Sequence, residues 1–370
     1  MFKSLLATGL TILPFTLAVK ASAQNSLYVF GDSLSDTGNI FNVTQAVQPF
    51  TEALGLDIPV VPPVPPYGQN GRFSNGLVWI DFLAQDLGIE LVPVTELPDS
   101  PITLVPPGIN LDFNGLTAAN SVNFAFGGAQ TASFDPGAFG VSIPSLLDQV
   151  SFFTNDLAQS GLSPDEDALY VMWIGGNDVL FAPDVAPEQS VSNVEAALQN
   201  LYDAGARTFL VSTLPDSGQT PVAFTNPAIP PEFFTQRTNQ FNQFLETALN
   251  DLRSLPNIDI VTLDANSLFE EILADPVEFG FTQVPPTSCL EGNPLTLDLG
   301  NLTLCDAPDE HIFFDEVHPT TVAHEIIGDF ALETLQNRSP ASVPEPTAAL
   351  PLGLLGLGLF VRKRLKPHRS

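Results

Sequence analysis

Four short clusters of polar residues and glycines hold groups that could carry out acyl transfer. They are Gly31-Asp32-Ser33-Leu34-Ser35, Gly127-Gly128, Gly175-Gly176-Asn177-Asp178 and Asp315-Glu316-Val317-His318-Pro319. Acyl transfer by a serine needs a nucleophile, a base, a group that orients the base, and hydrogen-bond donors for a developing oxyanion. All four parts have suitable residue types here, so the sequence predicts a site for nucleophilic catalysis.

The predicted nucleophile is Ser33 and the predicted base is His318. Ser33 follows an apolar segment at the point where a strand gives way to a helix, so its hydroxyl can face a crevice; a helix N-cap is the alternative interpretation. His318 lies three residues after Asp315 and directly before Pro319, which disfavours helical geometry at His318. On such a bend Asp315 can accept from Nδ1 while Nε2 faces the serine. A solvated loop histidine is the alternative.

The predicted oxyanion donors are the backbone N–H of Gly128 and the side-chain amide of Asn177. Gly128 offers an N–H group without side-chain obstruction, and an amide side chain is a fixed dipole. Gly127 is adjacent to Gly128 and remains an alternative donor. Both clusters are also good turn sequences, so neither is specific by itself.

Short apolar segments alternate with amphipathic ones, and these elements must position the clusters. Strands are predicted at residues 27–30, 122–126, 168–174, 208–213 and 258–263, and helices at 77–87, 143–159, 191–204, 232–252 and 320–336. Strands that are apolar throughout, with helices between them, are typical of a parallel sheet covered on both faces. We therefore predict one α/β domain over residues 24–337, a three-layer α/β/α sandwich that binds ligands at the carboxyl ends of its strands. Segments 43–71, 91–117 and 279–309 are expected to be loops that shape the pocket.

Composition and charge narrow the functional class. Hydrophobic residues make up 44% of the 370 residues, which is ample for a core, and the formal net charge is −30. Such a surface repels nucleic acid and anionic membranes, so neither is an expected partner. The acidic stretches lack the spacing of an EF-hand or a zinc motif, so we expect no metal and no cofactor.

Both ends of the chain have features of targeting signals. Lys3, an apolar run and the small residues Ala21-Ser22-Ala23 predict that residues 1–23 are a secretory signal peptide; a buried N-terminal helix is the alternative. Residues 338–370 combine a Pro-rich spacer, an apolar run and a basic cluster. Their order is similar to the PEP-CTERM sorting signal of bacterial surface proteins, and a plain C-terminal anchor is the alternative. Either interpretation predicts an exported, extracellular or cell-surface protein. The sorting signal would add transient C-terminal membrane anchoring, and the expected protein partners are the export and C-terminal sorting machinery.

Two cysteines, Cys289 and Cys305, are the only ones in the chain. A close, even pair in an exported protein predicts a disulfide that closes a loop. A free-thiol nucleophile is the alternative, and neither cysteine has a histidine beside it in the sequence.

Taken together and in order, the clusters resemble the blocks of the GDSL lipase/esterase family, within the SGNH hydrolases. The matching stretches are Gly31 to Asn39, Asn123 to Ala129, Gly175 to Asp178 and Asp315 to Pro319, and residues 67–84 are similar to a stretch of the longer plant and bacterial members. The resemblance implies a flavodoxin-like parallel sheet and hydrolysis of carboxylic esters.

The same resemblance implies a role for each matching residue. Ser33, Asp315 and His318 would be catalytic, Ser33, Gly128 and Asn177 would form the oxyanion hole, and three polar residues would brace the serine, namely Asp32, Asp36 and Asn39. The expected partner is a small-molecule or lipid ester, and the protein is expected to be a monomer. Acyl transfer to an alcohol and a non-catalytic surface or matrix role are the alternatives. The second alternative would gain if Ser33 and His318 lay more than about 8 Å apart.

Overall fold

A parallel sheet forms the centre of the computed structural model, which describes residues 26–53, 55, 59–68, 71–97, 103–105, 108–110, 121–132, 143–292 and 302–338. Within those residues the sheet has six strands, in the order β2-β5-β1-β6-β7-β8. They are β1 (Leu27–Gly31), β2 (Leu91–Pro93), β5 (Ser121–Asn123), β6 (Leu169–Trp173), β7 (Thr208–Ser212) and β8 (Asp259–Leu263). Two short antiparallel pairs stand apart: β3 (Thr103–Val105) with β4 (Gly108–Asn110), and β9 (Leu290–Glu291) with β10 (Thr303–Leu304).

Helices connect the strands of the sheet. The described α-helices are α1 (Asn39–Ala53), α2 (Trp79–Leu87), α3 (Leu146–Ser160), α4 (Gly176–Phe181), α5 (Pro187–Ala204), α6 (Pro231–Leu252), α7 (Ala265–Ala274) and α8 (Thr321–Asn337). Short 3₁₀ turns lie at Val94–Glu96, Ser217–Gln219, Pro221–Phe224 and Pro308–Glu310. None of the described helices combines the length and apolar character needed to cross a membrane.

Strand β1 occupies the centre of the sheet, and all five of its residues are buried. It pairs in parallel with β6 from Leu27↔Leu169 to Gly31↔Trp173, and with β5 on its other edge. The chain builds the β2-β5 side of the sheet before it crosses to β6. The strand order therefore reverses beside β1, and parallel sheets bind ligands at the carboxyl ends of strands where this happens. Three of the predicted clusters follow β1, β5 and β6.

An aromatic layer packs one face of the sheet against helix α3. The Phe30 and Phe124 rings stack with their centroids 5.3 Å apart, and Phe153 of α3 lies 4.8 Å from the Tyr28 ring. Each of these side chains is at most 1% exposed. Burying an aromatic or aliphatic side chain contributes about 1.5–3 kcal/mol, so this layer fixes the strand that leads to Ser33.

The predicted fold class is confirmed, and so are its five strands and five helices to within a few residues at their ends. The described residues belong to one compact unit. The proposed signal peptide and, apart from Arg338, the proposed sorting tail lie outside the described residues.

All three segments predicted to be loops contain regular structure, and 279–309 includes the short strands β9 and β10. Segment 43–71 begins inside helix α1, which contains Pro49. The Asp36 carboxylate accepts hydrogen bonds from N–H groups at the start of this helix, and a proline late in the helix removes only one donor. Segment 91–117 begins with β2, an edge strand, where a proline is tolerated because one side of the strand is unpaired.

Candidate active site

Ser33, His318 and Asp315 form one hydrogen-bonded chain. Nε2 of His318 lies 2.7 Å from Oγ of Ser33, and Nδ1 lies 2.7 Å from Oδ2 of Asp315. Ser33 is 6% exposed and Asp315 is 5% exposed. The nucleophile, the base and its orienting carboxylate therefore meet at the edge of the sheet, far inside the limit of about 8 Å for a catalytic pair.

Asp315 is held as a carboxylate by its hydrogen bonds. Oδ1 accepts from the N–H groups of Val317 and His318, each at 2.7 Å, and Oδ2 accepts from Tyr67 Oη as well as from His318. Burial alone would raise the pKa of Asp315, but the charge of His318 and these hydrogen bonds outweigh it and lower the pKa below its ordinary value. An ionised Asp315 fixes the imidazole so that Nε2 faces the serine.

The serine turn, residues 32–39, leaves β1 through a tightly bonded bend. The side chain of Gln149 receives a hydrogen bond from the Gly31 N–H and donates one to the Gly31 carbonyl oxygen, both at 2.9 Å. A Cβ at Gly31 would lie 2.5 Å from the Trp173 carbonyl oxygen, so only glycine fits beside β6. Oδ1 of Asp32 accepts from the Leu34 N–H. Burial raises the pKa of Asp32 to about 7, although that bond and the nearby His318 oppose the rise.

Asp36 and Asn39 close the serine turn onto the neighbouring strand. The buried Asp36 carboxylate accepts from four N–H groups, those of Gly38, Asn39, Ile40 and Gly127. Burial raises its pKa to about 6, against the effect of those donors. The Asn39 amide donates to the carbonyl oxygens of Asn123 and Ala125, at 2.8 and 2.9 Å. Both residues therefore position the turn from outside the reacting atoms.

The hydrogen bonds distinguish between the two glycines that follow β5. The Gly127 N–H donates to Oδ2 of Asp36 at 2.8 Å, so this donor is occupied. Gly128 has φ of +80° and is partly exposed, and its N–H donates to no other group among the described residues. The Ser33 N–H likewise donates no hydrogen bond to any group in the described part of the chain. Gly128 is therefore the better oxyanion donor of the pair, and Ser33 is a second candidate.

Asn177 lies in the first turn of α4, and its surroundings link the ends of β5 and β6. Its Nδ2 donates to the Ala129 carbonyl oxygen at 2.9 Å, which leaves the second amide hydrogen for an oxyanion. Asp178 accepts from both the N–H and the hydroxyl of Thr131 and from Ser190 Oγ. These bonds hold the two candidate oxyanion donors, Gly128 and Asn177, in a fixed relation.

Arg237 of helix α6 holds the backbone of α4 and of the segment after it by hydrogen bonds. Its guanidinium, which is 7% exposed as a residue, donates to five carbonyl oxygens, those of Asp178, Val179, Ala182, Pro183 and Val185. Burial lowers the pKa of Arg237, and the charge of Asp178 opposes this. Arg237 thus pairs with carbonyl groups both in α4 and in the segment that follows it.

The histidine loop, residues 311–320, is braced by distant segments. Tyr67 donates to Asp315 and packs edge-on against Phe314, with ring centroids 5.1 Å apart. Burial, then the charge of Asp315, raises the pKa of Tyr67, so its hydroxyl stays protonated as a donor. A disulfide joins Cys289 to Cys305, and the Cys289 N–H donates to the Phe313 carbonyl oxygen at 3.1 Å.

Sequence reasoning did not assign roles to Tyr67, Gln149 or Arg237. Tyr67 stands in a stretch similar to the longer family members, which is the one signal that could have found it. The other two contact backbone atoms of segments more than 50 residues away, and backbone atoms carry no sequence pattern. Only the folded chain reveals such partners.

An apolar cavity opens beside Ser33 and Asn177. Its empty volume is about 880 Å³, counting the solvent at its open mouth. Its described lining comes from strand ends, the histidine loop and helices α4, α7 and α8, and from none of the three loops expected to shape the pocket. The loops 43–71, 91–117 and 279–309 are only partly described.

One group of described residues has the composition of a metal site. Cys289, Cys305 and His311 place potential ligand atoms within 4.8 Å of one another. The two sulfur atoms are bonded to each other, and metal binding by cysteine requires the thiolate. These residues therefore do not fit a metal ion in this state.

The sequence of the chain matches known esterases over most of its length. The family model for GDSL-like lipase/acylhydrolase matches residues 27–331. A GDSL esterase/lipase of Arabidopsis thaliana is 30% identical, with 84% of this chain and 85% of that protein covered. Acetylajmalan esterase 2 of Rauvolfia serpentina is 29% identical, with 83% and 89% covered. The solved M. smegmatis aryl esterase covers 84% of this chain and 97% of its own, at 13% identity and a TM-score of 0.40.

The family model and the Arabidopsis relative confirm the family resemblance inferred from the four clusters. The family match includes all three residues of the hydrogen-bonded chain, Ser33, Asp315 and His318. The chain belongs to the GDSL-like lipase/acylhydrolase family and is a serine carboxylic ester hydrolase.

Proposed function

We propose that the chain is an exported esterase that forms its acyl-enzyme on Ser33. The observation that carries this proposal is the 2.7 Å contact between Nε2 of His318 and Oγ of Ser33. Neutral imidazole is needed to take the serine proton, and the ionised Asp315 on the other nitrogen stabilises the imidazolium that results.

The acylation step follows from this arrangement. Nε2 of His318 accepts the Ser33 proton as Oγ forms a bond to the ester carbonyl carbon. The carbonyl oxygen gains the negative charge and accepts hydrogen bonds from Asn177 and from the Gly128 and Ser33 N–H groups, each worth about 3 kcal/mol. When the C–O bond to the alcohol breaks, His318 returns the proton to the departing oxygen.

Deacylation repeats the same proton transfers with water. His318 takes a proton from a water molecule, whose oxygen attacks the acyl carbon, and the proton passes to Ser33 Oγ as the carboxylic acid leaves. Attack by an alcohol in place of water would give transesterification through the same acyl-enzyme. Because the histidine must be neutral at both steps, turnover should fall as the pH becomes acidic.

The direct test is the variant Ser33→Ala assayed with p-nitrophenyl butanoate and a fluorophosphonate probe. Hydrolysis and covalent labelling should both disappear while the thermal unfolding curve stays close to the wild type. Ser35→Ala is the matched control, because Ser35 accepts a hydrogen bond from Trp79 and lies outside the reacting chain, so it should still be labelled. Equal labelling of Ser33→Ala and wild type would exclude Ser33 as the nucleophile.

We propose export on separate grounds. The apolar N-terminal run with its Ala21-Ser22-Ala23 site, the basic C-terminal cluster and the disulfide support it. After expression in the native host, mass spectrometry of the mature protein should give Gln24 as the first residue and a chain that lacks the PEP-CTERM-like tail. An intracellular protein with both ends intact would refute the proposal.

A further inference from the structure

The cavity beside Ser33 is lined partly by an apolar cluster that is separate from the main core. A second apolar cluster joins α7, the residues before α8, and α8 itself. Lining residues of the cavity belong to this cluster, among them Leu268, Phe269, Ile272, Phe313 and Ala323. Ile327 contacts both this cluster and the main core. The cavity thus lies where two apolar bodies meet, and most of its lining side chains are apolar.

The few polar groups of the cavity are close to the reacting atoms. Asp32, Ser33 and Asn177 line it at the ends of β1 and β6, and the remaining polar lining residues, Ser217 and Thr220, lie in the segment after β7. Burial raises the pKa of Asp32 to about 7, so part of this carboxyl group is uncharged at neutral pH. A long group attached to a carbonyl carbon at Ser33 can therefore enter an apolar space directly from the oxyanion site.

The chemistry indicates which half of the ester occupies this space. The departing alcohol receives its proton from His318 and must leave while the acyl group stays bonded to Ser33. Among the described lining residues are Val317 and Pro319, which flank the histidine, but not His318 itself. The alcohol is accordingly expected on the imidazole side, towards solvent.

We propose that this cavity is the acyl pocket, and that the preferred substrates are esters of aliphatic carboxylic acids longer than butanoic acid. The inference rests on the proposed acyl-enzyme at Ser33. Each methylene transferred from water into such a pocket favours the transition state by about fourfold, which corresponds to about 0.8 kcal/mol. Specificity should then be set by side chains of α7 and α8.

The experiment uses two ester series and two pairs of neighbouring variants. One series varies the acyl chain from acetate to dodecanoate with p-nitrophenol as the constant alcohol, and the other varies the alcohol of acetate esters. Ile327→Trp fills the pocket, and Ile326→Trp is its control because Ile326 packs in the same cluster without lining the cavity. Ile272→Ala enlarges the pocket, with Leu273→Ala as its control for the same reason.

For the wild type, kcat/KM should rise about fourfold per added methylene beyond acetate and then level off. Ile327→Trp should move the optimum to shorter acyl chains and lower decanoate hydrolysis at least tenfold while acetate hydrolysis changes less than threefold. Ile272→Ala should move the optimum to longer chains, and both controls should keep the wild-type profile.

Three results would overturn the inference. They are a flat acyl profile in a wild type that hydrolyses acetate, a shift by Ile327→Trp in the alcohol series but not in the acyl series, and equal shifts in a variant and its control. Acetate hydrolysis that depends on Ser33 would leave the proposed function standing in each case. If either Ile327→Trp or Ile272→Ala loses all activity, the shift of the other variant, which is predicted in the opposite direction, decides the inference.

Discussion

The serine turn and the histidine loop meet at one hydrogen bond but are held in place by different means. The serine turn is held by strands on either side of β1 and by its own carboxylates, Asp32 and Asp36. The histidine loop is held from outside the sheet, by Tyr67 and by the disulfide-closed segment. A turn built into a buried sheet moves only if the core moves, whereas a loop braced by other loops can shift by itself. We therefore expect the loss of a side-chain group bonded to Asp315 or His318 to reduce turnover more than stability.

Among changes to the histidine loop and its contacts, Asp315→Asn is expected to cause the largest loss of turnover. The imidazolium loses its charged partner, and the amide can select the wrong tautomer, so kcat should fall by about 10²–10⁴. Steady-state kinetics and thermal unfolding measure the two effects. Asp309→Asn is the control, because Asp309 is exposed in the same part of the chain and should keep wild-type turnover. Unchanged kcat in Asp315→Asn would mean that another group orients His318.

A smaller loss is expected for Tyr67→Phe. This change removes only the hydroxyl that donates to Asp315, and a hydrogen bond to a charged group contributes about 1.5–3 kcal/mol. If it is lost in the transition state, kcat should fall by about 10- to 100-fold. Steady-state kinetics of Tyr67→Phe and the wild type at the same pH measure this fall.

Tyr202→Phe is the control for Tyr67→Phe. The Tyr202 hydroxyl donates to the Pro256 carbonyl oxygen at an exposed position. An equal effect of the two variants on kcat would show that the hydroxyl of Tyr67 does not support turnover.

The double variant Cys289→Ser/Cys305→Ser should affect stability more than turnover. The bridge spans a sequence separation of 16, and a loop of that size contributes about 3 kcal/mol to stability. Turnover should fall less than in Tyr67→Phe, because the hydrogen bonds to Asp315 remain. Denaturant unfolding and kinetics in parallel measure this. Unchanged stability of the double variant would contradict the expectation.

The smallest effect on turnover is expected for His324→Asn, which changes the dependence of stability on pH. His324 is fully buried in α8, and its Nδ1 accepts from the Trp79 N–H, a bond that an asparagine oxygen can replace. Burial, then the charge of His318, lowers the pKa of His324 to about 3. The unfolded chain therefore binds this proton below about pH 6.5 and the folded chain does not, so stability is lost as the pH falls from about 6.5 towards 3.

The variant His324→Asn has no histidine to protonate at this position, so it lacks this loss of stability at acidic pH. Between pH 6.5 and 4.5 the free energy of unfolding should fall by about 2–3 kcal/mol more for the wild type than for His324→Asn, measured by urea unfolding at each pH. Turnover at pH 8 should be close to that of the wild type. Parallel stability curves for the two proteins would show that His324 does not titrate in this way.

Local sequence predicted much of the fold and the membership of the site. The strands read as apolar runs because β1 and β6 are buried on both faces, and the glycines and polar residues after them mark the strand ends. Asp315 and His318 were predictable because their spacing of three residues on a proline-terminated bend is itself the geometry of the pair. Helix α1 was missed since a proline in the middle of a segment argues against a helix in sequence, whereas the Asp36 carboxylate stabilises its start in the folded chain.

The sequence by itself determined the order of the four clusters and the chemistry that their side chains can perform, because residue type and local spacing set both. Only the tertiary structure decided that the Gly127 N–H is occupied by Asp36, that Tyr67 donates to Asp315, and that an apolar cavity lined in part by α7 and α8 opens at Ser33. Each of these joins groups that lie tens to hundreds of residues apart. Such contacts arise from the packing of whole elements, which no local pattern records.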